Sequence, residues 1–108
     1  MMHTIRVDHV LREAVNTPYR DLVTRATGAA VRTSIEQAIA EADCPTTLLD
    51  FSAVGLVDFS CADEVIAKLL LHTWTDSSHY VLLQGLREDH SEAIDHVLSH
   101  HKIGRAHV

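Results

Sequence analysis

Thr46–Leu71 reads TTLLDFSAVGLVDFSCADEVIAKLLL, and its interpretation decides the fold. Leu48 and Leu49, followed by Asp50 and Phe51, form the kind of apolar run found in strands buried on both faces of a parallel sheet. Ser52–Gly55 is a tight connection leading to Leu56, Val57 and Asp58. Ser60 can then cap a long amphipathic helix that buries Ala62, Ile66, Leu69 and Leu70 on one stripe, widened by Val65 and Leu71. Asp63, three residues beyond Ser60, resembles the partner of a capping box. A strand, a short excursion and a helix start make half of a strand–helix–strand unit. Helix N-termini gather unpaired N–H groups and partial positive charge, so the Asp58–Phe59–Ser60 turn is the first candidate site.

Toward the N-terminus, His3–Leu11 alternates, with Ile5, Val7, His9 and Leu11 on one side, and predicts a half-exposed strand. Arg12–Pro18 is a turn region punctuated by Asn16-Thr17-Pro18. Tyr19–Arg25 admits a second strand, or a short helix framed by Thr17, Pro18 and Gly28. Ala29–Asp43 is an amphipathic helix burying Val31, Ile35, Ala38, Ile39 and Ala42, and Cys44-Pro45 ends it. After the central stretch, Ser60–Trp74 is the second long helix, Asp76-Ser77-Ser78 a polar break, and His79–Gln84 a core strand. Arg87–His101 is a final helix with Ala93, Ile94, Val97 and Leu98 inward, and 102–108 reads as a loose tail.

The residues Asp50-Phe51-Ser52-Ala53-Val54 and Asp58-Phe59-Ser60-Cys61-Ala62-Asp63-Glu64 resemble the core of STAS domains, the sulfate-transporter and anti-sigma-factor-antagonist fold. They look closer still to a shorter STAS-like family with a DFSxV…SFADE pattern, over about residues 20–85. The resemblance selects the strand for Tyr19–Arg25. It implies a single α/β STAS-like domain over 1–108, with element order β-β-α-β-α-β-α and an approximately four-stranded mixed sheet covered by helices. It also implies a non-enzymatic regulatory role, with an ATPase-type kinase or sensor component as partner. In phosphorylatable STAS domains the equivalent turn reads Asp-Ser-Ser/Thr-Gly, and the serine after Asp accepts a phosphate. Here Phe59 takes that position and Cys61 replaces the glycine.

A phosphoryl group on Ser60 would add about −1.5 to −2 charges beside Asp58, Asp63 and Glu64. No Lys or Arg is near in sequence to offset them, so recognition is expected to proceed without the serine phosphoswitch. That expectation depends on the crowding being uncompensated: Asp63 found beside guanidinium groups, or Ser60 found esterified, would remove it.

The chain is 108 residues long with a net charge of −6, which argues against a sequence-independent nucleic-acid binder. No apolar run reaches the ~18–20 residues of a membrane span, and the first residues lack a signal-peptide core. A cytoplasmic location with no membrane contact is the expectation, and a homodimer through a free first-strand edge is conceivable. Cys44 and Cys61 read as two reduced thiols. The nine histidines read as scattered surface groups.

Other constellations are weaker. Asp63 and Glu64 point about 100° apart on a regular helix and would not converge on one atom, so they read as first-turn acids or a negative rim for a partner's basic residue. Arg25, Thr27 and Gly28, with the helix start at Ala29, could instead receive a nucleotide or phosphorylated metabolite, unless Arg25 pairs with a nearby carboxylate. Glu92, His96 and His100 share a helix face but fall short of a structural zinc set. His72, Asp76, Ser77, Ser78 and His79 supply the residue types of a hydrolase triad without its elbow motif. No catalytic residues, metal or cofactor are assigned.

Overall fold

The computed structural model describes residues 2–15, 21–42, 45–70 and 80–100. Three parallel strands form the sheet: β1 (Met2–Arg6), β2 (Thr46–Asp50) and β3 (Tyr80–Gln84), in the order β1-β2-β3. The register places Ile5 beside Leu49 and Leu49 beside Leu83, so the three share one row on one face. All three are buried there. On the other face Leu48 is buried while Thr4 is exposed and Leu82 half-buried, so the central strand is covered on both sides and its neighbours are not.

Among the described residues the sheet is thus parallel and three-stranded, and the expected four-stranded mixed sheet is not shown. Two local readings account for the difference. His3–Leu11 is a strand only to Arg6; α1 (Val7–Val15) follows at once. Val7 and Leu11 are buried, and Val10 and Ala14 pack on the core, a helical spacing that the run of alternating apolar residues conceals. Asp8 in the first turn is buried between Arg6 at 3.1 Å and Arg12 at 3.3 Å, which ties α1 to the end of β1.

Nor is Tyr19–Arg25 a strand where it is described. Leu22 makes one parallel bridge to Val57, its N–H donating to Leu56 O at 2.7 Å and its carbonyl accepting from Asp58 N at 3.0 Å. Asp21 adds a bond from Leu56 N at 2.8 Å. The segment then turns into α2 (Arg25–Glu41), which starts four residues before Ala29.

After β2, Asp50 accepts from both Ser52 N and Ser52 Oγ, closing a tight turn. Helix α3 begins at Phe59–Ala62, widens to a π turn over Asp63–Ala67 and continues through residue 70. Helix α4 is Glu88–His100. α2 packs between α1 and α3, and α3 packs on α4. The core joins the buried sheet row to Val31, Ile35 and Ile39 of α2, Val65, Ile66 and Leu69 of α3, and Ile94, Val97 and Leu98 of α4. Complete burial of a side chain such as Phe51 or Ile94 contributes about 2 kcal/mol. Among the described residues no helix is long and apolar enough to cross a membrane. The proposed tail, 102–108, lies outside them.

Where β3 leaves the sheet, Gly85 adopts φ +73, and a Cβ there would meet Ser52 N at 2.7 Å. Both the conformation and the space require glycine. Gly85→Ala should therefore lower stability by about 2 kcal/mol or more, measured by urea denaturation; an unchanged midpoint would contradict this packing.

Candidate functional site

Asp58, rather than Ser60, caps α3. Asp58 is extended at φ −86 and ψ 168, and its Oδ1 accepts from Cys61 N at 2.7 Å. Cys61 is the third helical residue, the usual donor to an N-cap carboxylate. Ser60 Oγ donates to the same Oδ1 at 3.0 Å. The other oxygen, Oδ2, accepts from Thr24 N at 3.1 Å. Burial would raise the Asp58 pKa, but the bonds from Cys61, Thr24 and Ser60, with the charge of Arg25, hold it below the ordinary 3.8.

Thr24 has φ 71 and ψ 145, a region that β-branched residues almost never occupy. The strain costs about 1–3 kcal/mol and must be held by its surroundings. The Asp58 bond holds it on one side. On the other, Thr24 caps α2: its Oγ1 accepts from Thr27 N at 3.3 Å, and Gly28 N donates to Thr24 O at 3.2 Å. The N–H groups of Thr27 and Gly28 are thus satisfied inside the chain.

With Asp58 turned inward, Phe59 points out. It is 54% exposed and stacks on His96, ring centroids 4.6 Å apart and 22° from parallel. Beside it lies an open depression of about 330 Å³ lined by Val57, Asp58, Phe59, Asp89, Glu92 and Ala93.

Asp63 and Glu64 are not uncompensated. Arg25 Nη1 donates to Asp63 Oδ2 at 2.7 Å and to Glu64 Oε1 at 2.9 Å. Lys68 Nζ donates to Glu64 Oε1 at 2.6 Å, and Arg32 lies 3.6 Å from Oε2. Adjacent carboxylates do converge on one atom here, the Arg25 Nη1, at the start of the π turn. Glu64 is buried, yet the Lys68 bond, together with Arg25 and Arg32, outweighs burial and holds its pKa below 4.5. The same bonds to Asp63 and Glu64 raise the pKa of Arg25. Sequence proximity misses Arg25 and Arg32, which come from α2; Lys68 lies only four residues beyond Glu64 on the same helix and was overlooked. Asp63 sits beside a guanidinium, so the charge-crowding argument against a phosphate on Ser60 does not hold in its original form.

The same geometry bears on Arg25, Thr27 and Gly28. Arg25 is ion-paired, as the alternative reading allowed, and Thr27 N is bonded to the cap. A Cβ on Gly28 would stand 2.9 Å from Glu64 Cβ, so this glycine marks where α2 crosses α3. Cys61 is buried, and burial, with Asp58 and Glu64 nearby, pushes its thiol up to about 12.

His90 was not foreseen. It is fully buried, with Nδ1 accepting from Arg87 N at 3.3 Å and Nε2 facing Gly55 O at 2.5 Å. A backbone N–H can only donate, so Nδ1 is bare and Nε2–H donates to Gly55 O. This bond pins the turn before Asp58 to α4. Its sequence signal was the helical spacing His90, Ile94, Val97.

Among the described residues no group of three His, Cys, Asp or Glu side chains is placed to hold a metal. Cys44 and the cluster His72, Asp76, Ser77, Ser78 and His79 lie outside the described residues.

Asp58 and Glu64 both bind protons less readily folded than unfolded, so their contribution is present above the unfolded pKa values, 3.8 and 4.5. It is lost as pH falls through the lower folded values. Asp58→Asn should cost about 1–2 kcal/mol at neutral pH, flatten the acid limb of urea-denaturation midpoints, and speed hydrogen exchange at the Thr24 amide. An acid limb identical to wild type would show that Asp58 carries no such linkage.

Comparison of the chain with protein-family models, curated proteins and solved structures returns no match.

Proposed function

We propose that this chain is a non-enzymatic regulatory module that binds a partner protein through the Asp58–Phe59–Ser60 turn and the start of α3. This is the role its resemblance to anti-sigma-factor antagonists suggests, with an ATPase-type kinase or sensor component as partner. The observation that carries the reading is Phe59, an aromatic ring 54% exposed on a rigid mount. Asp58 fixes the turn behind it and His96 supports one ring face. Interfaces concentrate their energy in such anchors, and a ring already held in place loses little freedom on binding.

The neighbouring groups are poor candidates for chemistry. Asp63 and Glu64 are spent on Arg25, and the Cys61 thiol is buried and protonated. Asp63 and Glu64 therefore act as supports of the contact turn, and Phe59 as its apolar contact. The small-ligand reading at Arg25, Thr27 and Gly28 gains no support, since protein carboxylates already occupy the guanidinium.

Recognition without serine modification remains part of the proposal, on a different ground. Ser60 Oγ lies 3.0 Å from the Asp58 carboxylate, so esterification would replace a hydrogen bond with repulsion between anions. Phe59→Ala should leave circular dichroism unchanged and reduce recovery of the native partner by about tenfold or more. In the same preparation, mass spectrometry should find Ser60 unmodified. Equal recovery by both proteins would sink the contact surface, and stoichiometric phosphate on Ser60 would sink the unmodified mode. Asp63→Lys is a poor probe of the surface, because it breaks the Arg25 pair and disturbs the fold.

A further inference from the structure

We infer that the depression beside Phe59 receives a cationic side chain of the partner, an Arg or Lys with its stem on the ring and its head at Glu92, next to the Arg87–Asp89 pair. The inference rests on the partner-binding reading and adds the chemistry of the partner's segment.

The depression has an apolar floor, Val57, Phe59 and Ala93, and three carboxylates, Asp58, Asp89 and Glu92. No Lys or Arg lines it. The rest of the described chain has none to spare. Arg6 and Arg12 are paired with Asp8, Arg25 with Asp63 and Glu64, and Arg32 with Glu36 and Glu64. Lys68 is paired with Glu64, and Arg87 with Asp89. Arg87 also donates to Gly55 O at 2.7 Å, so it holds Asp89 and the loop together. Glu92 has no ion-pair partner among the described residues, and no Lys or Arg interrupts α4.

A long cationic side chain matches both features. Its methylenes can cover the exposed ring while its head reaches Glu92, and Arg or Lys over an aromatic face gains a cation–π contribution. An anionic occupant would meet the carboxylates of Asp58 and Glu92, while Asp89 is already offset by Arg87. Charge complementarity of this kind fixes register and speeds encounter, while the ring supplies the desolvated contact.

The test uses two labelled peptides, one alternating arginine and leucine, the other glutamate and leucine, followed by fluorescence anisotropy on the full chain. Glu13 is exposed on α1 and gives a charge-matched control. Glu92→Lys should weaken the arginine peptide by about tenfold, near 1.4 kcal/mol, and Glu13→Lys by about twofold or less. Phe59→Ala should weaken it as well. Equal effects of Glu92→Lys and Glu13→Lys would reduce the binding to overall charge and overturn the inference. Tighter binding of the glutamate peptide, or self-association abolished by Phe59→Ala, would assign the depression to another occupant and overturn it too. If Phe59→Ala loses the native partner but Glu92→Lys retains it, the contact surface stands and the cationic chemistry falls.

Discussion

One carboxylate holds the candidate site of this molecule together. Asp58 takes hydrogen bonds from Cys61 N, Ser60 Oγ and Thr24 N, three groups from two separate stretches of chain. A single side chain therefore starts α3, orders the serine beside it and holds Thr24 at a backbone angle that costs free energy. Thr24 in turn caps α2. Both helices that flank the turn depend on Asp58, and so does the outward direction of Phe59.

Charge divides into two clusters with opposite roles. Where α2 crosses α3, Gly28 lets the backbones approach, and Arg25, Arg32 and Lys68 surround the buried Glu64. Breaking such a cluster by removing one partner is expensive, because the remaining charge stays out of water. The π turn over Asp63–Ala67 sits in the same place, and π turns tend to occur where geometry is adjusted for a local purpose. Here the beneficiaries are the two adjacent acids that share one guanidinium nitrogen. Around Phe59 the balance reverses. Arg87 holds Asp89, and Glu92 has no ion-pair partner among the described residues.

The loop between β2 and α3 is positioned from three sides. Asp50 closes its first turn, His90 donates to Gly55 O from α4, and the Leu22–Val57 bridge holds its end. A loop fixed this way can present an aromatic ring without an ordering cost at binding. The parallel sheet below supplies the platform. Its central strand is covered on both faces, while β1 and β3 remain edges.

The sequence by itself determined the central unit: a strand read at Thr46–Phe51 and found at Thr46–Asp50, a helix read from Ser60 and found from Phe59, the strand ending at Gln84, and the last helix with its apolar face. Those readings rest on local periodicity and on turn and cap residues, which act within a few positions. Phe59 was singled out differently, by the family resemblance, as the residue in the serine's place. Only the tertiary structure decided that Val7 begins a helix, since alternation and helical spacing coincide over Val7 and Leu11 until the core selects one. It also decided that Leu22 makes a lone bridge, that His90 is buried against Gly55, and that Arg25 neutralises Asp63 and Glu64. Each of these depends on contacts between residues more than thirty positions apart or on which face meets the core. Such pairings have no local signature, because a charge or a hydrogen-bond donor finds its partner only after the chain has folded back on itself.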